Sequence, residues 1–106
     1  MHDLKWSESE KKLSRRLFDD ALAAELAEIL AEFKSKAAAA ATTEEMWAIQ
    51  DCLAQQQREI DGKYDYRYSQ LLSVFGRLVR EGRLRAEQLR GLSEDKLSYI
   101  ERIAAL

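Results

Sequence analysis

A chain of 106 residues and 12.2 kDa has room for one domain, or one domain with an appendage. Alanine swells the hydrophobic content to 46% while aromatics reach only 8%, so a lone copy has a thin core and burial between two copies is expected. The absence of proline and the four glycines exclude turn-rich β folds, and a net charge of −2 argues against a generic nucleic-acid binder.

The charge is unevenly spread. Residues 1–57 carry 7 basic and 11 acidic side chains, whereas residues 58–90 carry 8 basic and 5 acidic. Two surfaces with different roles, or protomers paired head to tail, fit that asymmetry. A single cysteine, Cys52, leaves no intramolecular disulfide and suits a reducing compartment. No stretch approaches the ~18 apolar residues of a membrane span, and MHDLKWSESE lacks an apolar signal core. A cytoplasmic protein is the expectation.

The first helix starts at an S-x-x-E capping box, Ser7 with Glu10. Leu13, Leu17, Leu22, Leu26, Ile29, Leu30, Phe33 and Ala37 then recur at helical spacing, with no glycine or proline before Ala41. A helix of this length has to lie along another long helix. Thr42 with Glu45 is a second capping box, and so short a turn makes the two helices antiparallel neighbours.

The second helix carries the stretch from Met46 to Arg67. Met46, Ile49, Leu53, Ile60 and Tyr64 lay an apolar stripe along it, with Trp47 and Asp51 four apart on an adjoining face. An indole beside a carboxylate on such a helix suits an interface better than a reaction. Asp51 needs a partner wherever it is buried: Gln55 is nearest in cis, and Arg58 of the other chain is within reach in a two-fold dimer with antiparallel stalks. Gly62 is expected to break or kink this helix, and a third helix is expected over Tyr64 to Arg80, closed by Gly82. A short helical piece over 84–90 ends at Gly91, and Ser93 caps a last helix to Ala105. The expected fold is all-α: a long antiparallel two-helix stalk, residues 1–61, which dimerises, and a small C-terminal helical head, residues 62–106.

Trp47-x-x-Gln50-Asp51-x-Leu53, Glu59-Ile60-Asp61-Gly62-Lys63-Tyr64-Asp65-x-Arg67 and Glu81-Gly82 together resemble the fluorescence recovery protein family of cyanobacteria. The E-I-D-G-K-Y-D-x-R run is the most specific part, and the likeness extends from Trp6-Ser7 to Ala105-Leu106. The resemblance implies an all-helical dimer with stalk and head and no cofactor. It further implies binding of photoactivated orange carotenoid protein, whose return to the resting state is hastened without any covalent reaction. Trp47 and Asp51 match the family's stalk patch. Gln50, Gln57, Ser73 and Tyr99 stand where the family has a histidine, an arginine, a phenylalanine and a lysine. The candidate dimer and partner interface is therefore Met46, Trp47, Gln50, Asp51, Leu53, Gln57 and Arg58, with Ser73 and Tyr99 on the head.

Catalysis finds little footing. His2 is the lone histidine and sits near the terminus, and Cys52 lies beside Asp51, where a thiolate is disfavoured. Asp61-Gly62-Lys63-x-Asp65 lacks the remaining oxygen ligands and the closing Glu of a calcium loop. Two other readings remain on the residues. One is a related scaffold for a different, signalling protein. The other is a small nucleic-acid-binding domain using Arg77, Arg80, Arg83, Arg85 and Arg90 with Tyr64, Tyr66 and Tyr68 upstream. A solvated face with cations near helix C-termini accounts for the same arginines, so no specific nucleic-acid binding is expected.

Overall fold

The computed structural model describes residues 5–106. Among them the chain is all-helical: α1 (Glu8–Ala39), α2 (Thr43–Lys63), α3 (Leu71–Arg80), a single 3₁₀ turn (Ala86–Leu89) and α4 (Glu94–Ala104).

The caps follow from the sequence signals. Ser7 Oγ accepts the Glu10 N–H at 3.2 Å while Glu10 Oε1 accepts the Ser7 N–H at 2.9 Å, satisfying two donors of the first turn reciprocally. At α2, Thr42 Oγ1 accepts the Glu45 N–H at 3.1 Å, but the Glu45 carboxylate reaches past Thr42 to the Ala41 N–H at 3.3 Å. Ser93 accepts the Lys96 N–H to start α4. α3 ends in a Schellman motif: the Arg83 N–H reaches the Leu78 carbonyl, and the Gly82 N–H that of Val79. Gly82 takes the positive φ of 77° that this ending requires.

The boundary near Gly62 differs from expectation. α2 runs through Gly62 to Lys63, residues 64–70 leave the helix, and α3 begins at Leu71 rather than Tyr64. The tyrosines explain it. Tyr66 meets Phe18 edge-on at 4.9 Å, Tyr68 lies 5.8 Å from Tyr66, and Trp6 lies 5.3 Å from Tyr68. Side chains two residues apart reach one cluster only from extended backbone, because a helix turns them about 200° apart. The aromatic contacts outweigh the helical spacing of Tyr64 with Leu71.

The chain divides into two compact units, and α1 contributes to both. One unit joins the residues before Leu22 to those from Asp65 onward. Its core includes Phe18, Leu71, Phe75, Leu78, Leu89 and Ile100, all buried. α3 and α4 approach so closely at Gly76 that an added methyl group would overlap the Ile103 side chain. A buried ion pair also sits in this unit. Lys96 Nζ lies 3.1 and 3.2 Å from the two carboxylate oxygens of Glu10, which also accepts the Ser93 N–H at 2.8 Å. The Trp6 ring caps the ammonium, its centroid 4.8 Å away. Burial pushes the Glu10 carboxyl up, but the Ser7 and Ser93 amides and Lys96 outweigh it and hold it below the usual glutamate range.

The other unit, Leu22–Tyr64, is a helical hairpin made of the rest of α1 and all of α2. Glu25 stands opposite Lys63 and Tyr64 while Lys36 stands opposite Cys52, so the two helices run antiparallel.

Candidate protein-interaction surface

The Glu25 carboxylate ties the hairpin together at its open end. Glu25 Oε1 accepts from Lys63 Nζ and from the Tyr64 hydroxyl, both at 2.7 Å, and Lys63 is buried with its charge paired. This gives the E-I-D-G-K-Y-D-x-R run a structural meaning. Ile60 is buried, Lys63 and Tyr64 lock onto α1, and Asp65 pairs with Arg67 through contacts of 2.8 and 3.0 Å. The Arg67 guanidinium holds the Asp65 carboxyl below its ordinary range. Gly62 has no such role, since a Cβ there would meet nothing within 4 Å.

Toward the closed end of the hairpin the packing changes. Met46 and Trp47 are 50% and 55% exposed, and on α1 Leu26, Leu30 and Phe33 are exposed as well. Phe33 and Ala37 of α1 with Met46, Trp47, Ile49 and Leu53 of α2 line an open groove of 760 Å³. The small residues Ala40 and Ala41 also line it, and their short side chains fill little of the space. Exposed large apolar side chains gathered on one short element mark an interaction site.

Of the residues expected at the interface, the structure brings Met46, Trp47, Gln50 and Leu53 together at this groove. Asp51, Gln57 and Arg58 lie exposed on α2 and do not line it. Gln55 is not the partner of Asp51, since its amide donates to Glu59 at 3.2 Å. Ser73 is half-buried on α3, and Tyr99 is half-buried on α4 with the Arg102 guanidinium 5.6 Å from its ring centroid. The exposure of Leu26, Leu30 and Phe33 is not legible in the sequence. Their spacing marks an apolar face but does not say whether this chain covers it.

The rival signals have local explanations. Arg77 and Arg83 both pair with Glu81, Arg85 pairs with Glu87, and Arg80 donates to the Ile103 carbonyl at 3.4 Å. The arginine cluster is thus largely matched by neighbouring carboxylates. Cys52 sits half-buried with Lys36 Nζ 3.6 Å from its sulfur, and the hydrogen bond to Glu32 raises the Lys36 ammonium above its usual range. His2 lies outside the described residues. Among the described residues no group of three or more metal-ligating side chains gathers, and no helix is long and apolar enough to cross a membrane.

Comparison with known proteins places this arrangement. The family described as photoprotection regulator fluorescence recovery protein matches residues 6–104. The fluorescence recovery protein of Synechocystis sp. PCC 6803 is 38% identical over 101 residues, covering 95% of this chain and 93% of that protein. The solved structure of the Fremyella diplosiphon fluorescence recovery protein superposes with a TM-score of 0.92 at 32% identity, covering 96% of this chain and all of the other. The Synechocystis structure gives the same TM-score of 0.92 and coverage of 96% at 37% identity.

Proposed function

Because the chain belongs to the fluorescence recovery protein family of photoprotection regulators, we propose that it acts as a cytoplasmic homodimer on photoactivated orange carotenoid protein. It binds the light-activated conformation and hastens its return to the resting one. No bond need be made or broken: a partner that favours one conformation shifts the equilibrium by the difference of its affinities, and one that also favours the barrier state speeds the return.

The observation that carries this reading is the exposed apolar surface of the hairpin, Leu26, Leu30, Phe33, Met46 and Trp47. Such a patch is the ordinary signature of a protein–protein interface, and two copies of one hairpin supply each other's cover. In the head, Ser73 and Tyr99 present a hydroxyl and a phenol where the family resemblance sets a phenylalanine and a lysine. At the groove Gln50 is neutral where that resemblance sets a histidine, and Gln57, exposed on α2, is neutral where it sets an arginine. Loss of an aromatic or arginine anchor costs about 2 kcal/mol, some thirtyfold in affinity. The action on a standard cyanobacterial partner is accordingly weak.

Two measurements test this. Light scattering should give twice the 12.2 kDa chain mass, and Met46→Glu should move it toward the monomer by placing a charge in the groove. The decay of the red form after illumination should be accelerated less by this protein than by its Synechocystis relative. Restoring histidine, arginine, phenylalanine and lysine at Gln50, Gln57, Ser73 and Tyr99 should strengthen it. A wild-type monomer at about 10 μM, within the range of ordinary interface affinities, would refute dimerisation. An unchanged decay rate in both the wild type and the fourfold restored variant would refute the assignment of the partner.

A further inference from the structure

Three of the head arginines are neutralised where they stand, Arg77 and Arg83 by Glu81 and Arg85 by Glu87. Arg90 lines a cleft that also holds Glu87 and Glu101. Arg80 and Arg102 differ from these. Both are exposed, and among the described residues neither guanidinium pairs with a carboxylate.

The fold brings these two residues to one place. α3 and α4 touch where Gly76 meets Ile103. One turn further along α3, Arg80 reaches across and donates to the Ile103 carbonyl at 3.4 Å. Arg102 is the neighbouring residue, and its guanidinium lies 5.6 Å from the centroid of the Tyr99 ring. The last turn of α4 thus carries two guanidiniums and a half-buried phenol. Ser73, Arg77 and Arg80 follow one another on α3 at spacings of four and three, which sets Ser73 on the stripe that leads to the same place.

Stabilisation of a helix end does not account for the pair. The Ile103 carbonyl already accepts the Leu106 N–H at 3.2 Å, a shorter bond than the one from Arg80. Arg102 bonds no carbonyl among the described residues. A guanidinium has five N–H donors in a fixed fork, so Arg80 keeps four and Arg102 all five for another molecule. Two like charges held at one turn repel each other, and an anion set between them removes that repulsion. The fork geometry matches a carboxylate through two parallel hydrogen bonds. Glu81 on α3 and Asp95 and Glu101 on α4 flank the site. That acidic surround repels a continuous phosphate backbone but leaves room for a single carboxylate projecting from a protein surface.

We propose that the last turn of α4, with Arg80 and Arg102 beside Tyr99, is a carboxylate-recognition site that takes an aspartate or glutamate on the surface of the regulated partner. The site rests on the action on orange carotenoid protein proposed above and deepens it, by naming two cations of the head that set the strength of the contact and the charge the partner presents to them.

The decay of illuminated orange carotenoid protein, followed over a concentration series of this protein, gives a half-saturating concentration for each variant. Arg102→Gln should raise it about tenfold, Arg80→Gln about fivefold and the double variant about thirtyfold or more, as for arginine anchors of an interface. Arg102→Lys, which keeps the charge and loses the fork, should fall between wild type and Arg102→Gln. Arg90→Gln removes the same charge from the cleft beyond α4 and should stay within about twofold of wild type. Raising the salt from about 0.05 to 0.3 M should weaken the wild type several-fold and the double variant less. Thermal melts separate contact from fold: Arg102→Gln should melt with the wild type, because its guanidinium touches only the Tyr99 ring. Half-saturation unchanged in Arg102→Gln, or raised equally in Arg90→Gln, overturns the site while leaving the partner standing. A complex with duplex DNA that the double variant loses reassigns the guanidiniums to phosphate and overturns it as well. A wild type without effect on the decay overturns the site, and if the fourfold restored variant is also without effect, the partner reading falls with it.

Discussion

The two units solve the problem of a small core in opposite ways. The unit formed by the start of α1 and the residues from Asp65 onward closes on itself. Leu71, Phe75 and Leu78 have no exposed surface, and Glu10 and Lys96 satisfy each other inside it. The hairpin spends its few polar locks at the open end, on Glu25 with Lys63 and Tyr64, and leaves Leu26, Leu30, Met46 and Trp47 in contact with solvent. A small protein with limited apolar surface can complete one core alone, and the proposed association would cover the other element. Regulation follows from that division: the closed unit fixes a shape, and the open one presents a surface.

The contrast is broken most strongly at the buried ion pair. Lys96→Met strands the Glu10 carboxylate in a site with almost no water, a change that typically costs about 3 kcal/mol or more. Urea denaturation should register it, while the exposed hairpin residues remain as they are. Glu10→Gln should cost somewhat less, about 2 kcal/mol, because the neutral amide keeps one acceptor oxygen where the carboxylate serves the Ser7 and Ser93 N–H groups with separate oxygens.

The same variant separates the pH response. Because the folded Glu10 carboxyl lies below its unfolded value, its stabilisation is complete above about pH 4.3 and fades as the pH falls through the lower folded value. Wild type should lose stability over that acid window, and Glu10→Gln should lose less. Equal slopes for the two proteins would assign the acid sensitivity to other carboxylates. The smallest effect belongs to the hairpin cap: Thr42→Ala removes the acceptor of the Glu45 N–H and should cost about 1 kcal/mol. Circular dichroism melts would detect it as a slightly lowered melting temperature.

Local signals are the legible part of this fold. Ser7, Thr42 and Ser93 start their helices as their side-chain chemistry requires, and Gly82 ends α3. Each depends on residues within a turn of itself. The exit from α2 is not legible, because it is decided by contacts across dozens of residues. Tyr64-x-Tyr66-x-Tyr68 has the period of an extended segment, but only Trp6 and Phe18 show why that period prevails over the helical one. Gly62 misleads for the opposite reason: it has breaker chemistry, yet Lys63 and Tyr64 are tied to Glu25 and carry the helix past it. Met46 and Leu53 can be read as one apolar stripe with Trp47 beside it from spacing, whereas Gln50 enters only through the family resemblance. Their joining to Phe33 and Ala37 depends on the pairing of α1 with α2, which no single helix encodes.

The buried pair has a further consequence in the order of synthesis. Glu10 and Lys96 are 86 residues apart in the chain. At roughly 5–20 residues per second, the ribosome releases Lys96 roughly 4–17 s after Glu10. Over that interval the Glu10 carboxylate has no ammonium to meet, while the hairpin emerges and can close first. The nascent chain then exposes the apolar surface of the hairpin before the buried ion pair of the other unit exists. A chaperone that shields apolar helices, or a second nascent copy on the same message, would meet the hairpin during that interval.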